Sequence, residues 1–439
     1  MKIGFVSLGC SKNLVDTEVM LKKLVDAGYE ITPDDTEADI IIVNTCGFIQ
    51  SAKEEAIENI LDVAWLKEHK NLRGIIATGC LVERYRQEVL REMPEVDAAL
   101  GTGSYHKIVE AVEAVARGEK YSSFEDKIAA PLGGDRILTT PEYTAYLKIA
   151  EGCDNRCTYC AIPSIRGRMR SRPIEDLVAE AKNLEKLGVK ELNIIAQDTS
   201  RYGLDLYGRY ALVDLIRAIC KATKIPWLRL LYLYPDKITD ELLAEIRDND
   251  RVCKYVDLPI QHISDSVLSR MNRHGDSATV RDAITRVRAA IPGVTLRTTA
   301  IVGFPGESEE DFAKLCEFVK QVKFDRFGAF TYSPEEGTAA AEFDGQIDEQ
   351  EKQNRYDTLM QVQLGVSEAA MQAKIGQTLT VLCEGYDAAA GVQFGRSAAD
   401  APDVDGKIEF TAKKKLPAGV FVRVRITEAL DYDLFGESC

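Results

Sequence analysis

The sequence predicts a multidomain α/β protein: an N-terminal parallel α/β domain of Rossmann-like type, a central partial (β/α)6 barrel of TIM type, and a small C-terminal β-barrel. Three observations predict it. Short apolar runs alternate with amphipathic helical stretches in two separate blocks, a polar stretch at residues 118–141 divides the blocks, and beyond residue 374 the pattern becomes short, β-rich and rich in turns. A chain of 439 residues also exceeds one ordinary core, which calls for two or three domains.

In the first block, residues 1–120, strands are predicted at 3–8, 40–43 and 74–77 and helices at 13–26 and 51–67. Residues 121–138, carrying Ser122-Ser123 and Gly133-Gly134, are predicted as a linker. The second block, 139–372, holds six candidate strands near 146–150, 191–196, 228–231, 255–258, 295–302 and 326–332, with helical stretches such as 173–187 and 309–322 between them. Six βα units predict an open, partial barrel rather than the closed eightfold one. A helical stretch near 350–374 leads into the third domain, 374–439, where 378–383, 392–397, 407–410 and 421–428 read as strands of a five-stranded barrel.

Composition narrows the function classes. The 55 basic and 70 acidic side chains leave a formal charge of −15, which provides no general attraction to nucleic acid and favours a basic partner. The opening Met1-Lys2-Ile3-Gly4-Phe5-Val6-Ser7-Leu8 is too short for a signal-peptide core and reads as a strand. With no long apolar run either, a cytoplasmic protein without membrane association is expected. Eleven cysteines are an odd number in a long chain without an export signal, so ligand or catalytic roles are favoured over disulfides. Only four histidines are present, which gives a histidine-based zinc site little material.

The cysteines fall into two sets. Glu151-Gly152-Cys153-Asp154-Asn155-Arg156-Cys157-Thr158-Tyr159-Cys160 places three thiols at C-x-x-x-C-x-x-C spacing directly after the first strand of the predicted barrel. A tight loop of that length turns all three onto one iron–sulfur cube and leaves the fourth iron without a protein ligand, whereas electron-transfer cubes normally have four cysteines. The alternatives are a chance cluster or a zinc site, and zinc lacks a nearby fourth ligand. In the second set, Cys10, Cys46 and Cys80 each follow a predicted parallel strand, so they emerge at the carboxyl edge where open α/β sheets hold ligands. Each of them alone also reads as a buried structural thiol. Cys220, Cys253, Cys316, Cys383 and Cys439 occur singly and read as packing residues.

The first set, with aromatic Tyr159 before its last cysteine, resembles the signature of the radical S-adenosylmethionine superfamily. The resemblance implies that Cys153, Cys157 and Cys160 hold a four-iron cluster whose open iron chelates S-adenosylmethionine, and that reductive cleavage releases a 5′-deoxyadenosyl radical. Tyr159, Gln197 and Gly303 are the implied cofactor-binding residues. Gly303, within Ala300-Ile301-Val302-Gly303-Phe304-Pro305-Gly306-Glu307, also reads as an ordinary strand-to-helix turn. Asp198 and His262 lie near strand ends, with structural roles equally open.

Over essentially its full length the chain is similar to the methylthiotransferases, whose terminal module is called TRAM. By that resemblance Cys10, Cys46 and Cys80 hold a second four-iron cluster that delivers sulfur, and S-adenosylmethionine supplies both radical and methyl group. Gly9-Cys10-Ser11-Lys12-Asn13-Leu14-Val15-Asp16, Ala161-Ile162-Pro163-Ser164-Ile165-Arg166-Gly167 and Ala196-Gln197-Asp198-Thr199-Ser200-Arg201-Tyr202-Gly203 resemble the branch that modifies an aspartate β-carbon of small-subunit ribosomal protein twelve. The segment from Lys374 onward, with 8 basic and 10 acidic side chains, suits that basic partner better than transfer RNA. Lys413-Lys414-Lys415 leaves a secondary RNA contact open, beside its reading as a solvated turn. The resemblance also implies an external electron donor and a sulfur donor. The competing readings are a transfer-RNA adenosine methylthiotransferase and a non-catalytic iron–sulfur carrier.

Overall fold

The computed structural model describes all residues, 1–439. The N-terminal sheet is wholly parallel, in the spatial order Glu30–Ile31, Lys2–Ser7, Ile40–Thr45, Gly74–Gly79, Ala98–Leu100 and Tyr121–Ser123. Its central strands Ile40–Thr45 and Gly74–Gly79 are buried at every residue, as the continuous apolar run Ile40-Ile41-Ile42-Val43 requires of a strand covered on both faces. Helices Ser11–Asp26 and Ile108–Ala116 cover one face through Val19, Met20, Leu24, Ala111 and Val112, and helix Gln50–His69 covers the other through Ile60 and Val63. The predicted linker is corrected at its start. Tyr121–Ser123 is the sixth strand, paired with Ala98–Leu100, because Tyr121 packs on the domain core and donates its hydroxyl to Glu110; that burial outweighs the turn character of Ser122-Ser123.

The central domain carries six parallel strands in chain order: Thr144–Lys148, Glu191–Ile195, Trp227–Leu230, Tyr255–Asp257, Thr295–Val302 and Arg326–Thr331. They form two three-stranded halves joined by a single bridge between Leu228 and Val252, and the first and last strands do not pair, so the barrel is open. Helix Ser11–Asp26 of the N-terminal domain packs against the first strand, and helix Glu349–Gln372 against the last.

The C-terminal barrel is closed and five-stranded: Thr378–Asp387, Val392–Ser397, Ile408–Thr411, Phe421–Ala429 and Leu434–Ser438, the last absent from the strands read in the sequence. It docks on the amino ends of the central strands through buried charges. Glu191 accepts from Arg396 at 2.6 Å and from Arg229 at 2.8 Å, Tyr255 donates to Asp405 at 2.6 Å, and Arg326 pairs with Asp400. The C-terminal barrel therefore covers the amino ends of these strands. No helix is long and apolar enough to cross a membrane.

Candidate active site at the domain interface

Cys10, Cys46 and Cys80 stand at the carboxyl ends of three neighbouring parallel strands, and glycines let their loops touch backbone to backbone. Gly9 has φ +87°, and a Cβ there would lie 3.0 Å from Cys46 Sγ; one on Gly47 would lie 2.6 Å from Leu81 Cα. Larger residues at either place would push the loops apart. The thiols lie close enough for Cys10 and Cys46 each to raise the pKa of Cys80. Cys10 occupies the N-cap position of the helix Ser11–Asp26.

Cys153, Cys157 and Cys160 occupy a loop between the short antiparallel strands Ala150–Glu151 and Arg170–Ser171. Gly152 starts it at φ +80°, where a Cβ would meet Arg168 O at 2.2 Å. The loop is braced from outside, where Thr158 N–H donates to Met271 O and Asn272 Nδ2 donates to Arg156 O at 2.7 Å, and within itself, where Cys153 N–H donates to Gly167 O. Arg273 packs over the Tyr234 ring at 4.2 Å, and its guanidinium and the Tyr234 hydroxyl each lie 3.9 Å from Cys157 Sγ.

Burial pushes the thiol of Cys80 up to about 12, that of Cys153 to about 11 and that of Cys160 to about 12. Metal loading at these positions must therefore displace protons, and the cations nearby, Arg166 and Arg273, favour that loss. No three His, Cys, Asp or Glu side chains close on a single ion. The all-thiol donor sets match a cluster, whose separate irons each take one thiolate, better than they match zinc.

The segments that carry the two cysteine sets meet across the domain boundary. Cys80 packs in one buried group with Ala161 and Ile165, immediately after Cys160. Beside them lies a cavity of about 870 Å³, within the range of cofactor and substrate pockets. Phe48, Gln50 and Glu54, just after Cys46, form one wall; Tyr159 forms another; Thr299, Ile301, Phe330 and Tyr332 close it from the last two barrel strands. Glu335 locks the domains there, accepting from Lys53 at 3.0 Å and Arg84 at 2.8 Å with its side chain only 2% exposed.

A second lock lies behind the cysteines, and no sequence signal was assigned to it. Arg166 donates to Asp16 at 2.5 Å, Asn13 Oδ1 at 3.0 Å, Glu151 at 3.2 Å and Cys80 Sγ at 3.3 Å. Lys148 pairs with the same Asp16 and with Glu151 at 2.7 Å. Two carboxylates and two cations thus balance in a water-excluded interface. Burial alone would raise Glu151, but Lys148 and Arg166 outweigh it and hold the carboxyl well below its ordinary range. Asn13, Asp16 and Arg166 all lie in the short segments that flank the cysteines in sequence, which was the available signal.

Of the implied cofactor residues, Tyr159 lines the cavity and meets Phe304 edge to face at 6.3 Å. Gln197 donates to Glu151 at 2.6 Å, while its Oε1 is buried with no partner. Gly303 has φ +72° and donates its N–H to Glu307 at 2.9 Å; a Cβ there would strike Lys352 Cγ at 2.4 Å. Its glycine is thus demanded by helix packing whatever binds nearby. Asp198 accepts from Asn155 at 2.8 Å and from Ser200 at 2.6 Å, bracing the cysteine loop, and His262 is fully buried away from the cavity.

Comparison with known proteins fits this geometry. Residues 2–101 match the Uncharacterized protein family UPF0004, 147–319 the Radical SAM superfamily and 375–438 the TRAM domain. A ribosomal protein uS12 methylthiotransferase RimO from Desulforamulus reducens is 50% identical over 438 residues, covering 99% of each chain. The chain belongs to the RimO family. A second RimO, from a Thermoanaerobacter species, is 48% identical with the same coverage. Among solved structures, the radical S-adenosylmethionine methyltransferase TsrM from Kitasatospora setae aligns with a TM-score of 0.56 at 14% identity, covering 75% of this chain and 72% of that one. At that identity the likeness establishes the fold alone. Membership in the Radical SAM superfamily and the RimO family implies a four-iron cluster and S-adenosylmethionine as cofactors.

Proposed function

We propose that this chain is a methylthiotransferase acting on ribosomal protein uS12, adding a methylthio group to an aspartate β-carbon, with six cysteines divided between two four-iron clusters. The observation that carries the reading is the packing of Cys80 against the segment that follows Cys160, with neighbours of both cysteine sets, Phe48 and Tyr159, lining one cavity, in a chain that matches RimO from end to end. A single-cluster enzyme has no use for the second set.

When bound, the cluster held by Cys153, Cys157 and Cys160 together with S-adenosylmethionine would supply a 5′-deoxyadenosyl radical, and that held by Cys10, Cys46 and Cys80 would supply sulfur. The chain's own residues do the rest. Arg166 presents N–H donors to Cys80 Sγ, and hydrogen bonds to ligand sulfur tune a cluster's potential. Arg273 sets a cation 3.9 Å from Cys157 Sγ. Gln197 Oε1 offers a free acceptor at the barrel rim, suited to an ammonium or hydroxyl group of the cofactor. Tyr159, Ile301 and Phe330 give the cavity an apolar wall, and the Glu335 ion pairs keep the domains from separating. An electron donor and a sulfur donor must come from outside the chain.

The test is intact-mass analysis of uS12 from cells with and without the gene. A methylthio gain confined to uS12 in the presence of the gene is expected. No gain, with a methylthio nucleoside missing from transfer RNA instead, would move the substrate to RNA.

A further inference from the structure

From the cavity mouth, where Phe48 and Glu54 stand, the helix Gln50–His69 runs outward across the surface of the N-terminal domain. Its inner face is filled by Ala56, Ile60, Val63 and Ala64. Its outer face carries Ile57, Leu61 and Trp65, 39%, 51% and 53% exposed. Four-residue spacing aligns them in one stripe, about 12 Å long from the helical rise. Trp65 is held in place although it faces solvent. Its ring stacks on His69 at 4.5 Å with the planes 12° apart, and His69 Nδ1 donates to Trp65 O at 2.9 Å. A pre-ordered, exposed tryptophan is characteristic of an interface anchor rather than of a scattered surface apolar residue.

The exposed charged side chains within the helix share one sign, with Lys70 an exposed cation just past its end. Glu54, Glu55, Glu58, Asp62 and Glu68 are exposed on this helix, and none takes part in an ion pair. Its two lysines are already engaged with acids elsewhere, Lys53 with Glu335 and Lys67 with Asp97 at 2.5 Å. The face is therefore an apolar ridge ringed by uncompensated carboxylates, continuous with the rim of the candidate active site.

We propose that this helix face docks the protein substrate, taking a basic segment of uS12 against its acids and apolar side chains against Leu61 and Trp65. The proposal rests on the uS12 reading above. A ribosomal protein must neutralise RNA phosphates, so it presents the Lys and Arg that such a surface attracts. The same carboxylates repel RNA. Docking here places the substrate within one helix length of the cavity, so that a loop carrying the acceptor carbon reaches in past Phe48.

The experiment uses the full-length reconstituted enzyme and purified uS12. Two surface variants are compared, Leu61→Ser with Trp65→Ser, and Glu58→Lys with Asp62→Lys. Each is read against whole uS12, against a short peptide spanning the acceptor aspartate, and for deoxyadenosine release without substrate. The expected result is a KM for whole uS12 raised roughly tenfold or more in both variants, with peptide turnover and deoxyadenosine release unchanged. The charge-reversed variant should also lose the salt dependence of uS12 binding. Unchanged uS12 binding in both variants overturns the docking face while leaving the uS12 reading intact. Peptide turnover falling in step, or a concentration-dependent dimer of the unaltered enzyme that the Leu61/Trp65 variant loses, overturns it as well. If the unaltered enzyme neither binds nor modifies uS12, the substrate reading fails, and this proposal with it.

Discussion

Replacing Arg166 with methionine removes one of two cations from a buried set of four charges. Asp16 and Glu151 would then share Lys148 alone, leaving one uncompensated carboxylate between the N-terminal domain and the barrel. Breaking a buried pair on one side costs about 3–5 kcal/mol, because the remaining charge keeps its desolvation penalty without its partner. The loss falls on the interface, so local opening is a better gauge than a global unfolding curve for a three-domain chain. Amide exchange in helix Ser11–Asp26, which carries Asn13 and Asp16 against Arg166, should accelerate roughly a hundredfold or more, since each 1.4 kcal/mol is tenfold. Arg166→Lys keeps the charge but loses the fork that reaches Asp16, Asn13 and Cys80 together, and should cost about 1–2 kcal/mol. Adding Asp16→Asn to Arg166→Met restores charge balance and should recover part of the loss, a coupling that a double-mutant cycle measures. If Arg166→Met exchanges like the unaltered protein, or if Asp16→Asn recovers nothing, charge balance does not hold this interface.

His262 is fully buried, accepts the Ser264 N–H at Nδ1, and has its pKa pushed by burial from 6.5 down to about 3. The unfolded chain binds this proton below pH 6.5 and the folded chain does not, so stability falls from pH 6.5 toward 3. Between pH 7 and pH 5 the loss is about 2 kcal/mol, and His262→Gln should flatten that slope in thermal melts at the two pH values. Gly152→Ala forces a Cβ against Arg168 O, so iron retained per chain after reconstitution should drop by about the share held at Cys153, Cys157 and Cys160, with the other set still loaded. Cys157→Ala should abolish deoxyadenosine release. Cys46→Ala should retain release and lose methylthiolation, and methylthio product from Cys46→Ala would contradict the sulfur-delivering role of its set.

Much of the architecture was legible in local pattern. The six central strands and helix Glu309–Val322 were readable within a residue or two, because each is an apolar run bounded by turn residues or charges. The strand Tyr121–Ser123 was not, since three residues carry no periodicity and pairing with Ala98–Leu100 decides its conformation. Leu434–Ser438 was missed likewise: it closes a barrel by pairing parallel with Ile408–Thr411, a partner more than twenty residues away.

The site divides in the same way. Spacing alone grouped Cys153, Cys157 and Cys160, and the strand-end rule alone grouped Cys10, Cys46 and Cys80, because both depend on chain-local geometry and parallel-sheet topology. That the segments carrying the two sets come together, with Cys80 against Ala161 and Ile165, was decided only by docking of the domains, through Arg166 and Glu335. Asp16 stands out in sequence only by its nearness to Cys10, and nothing there marks Lys148 as its partner, since the two are separated by 132 positions and meet only when buried against each other. A buried charge acquires its meaning from what surrounds it, and those surroundings exist only in the folded chain.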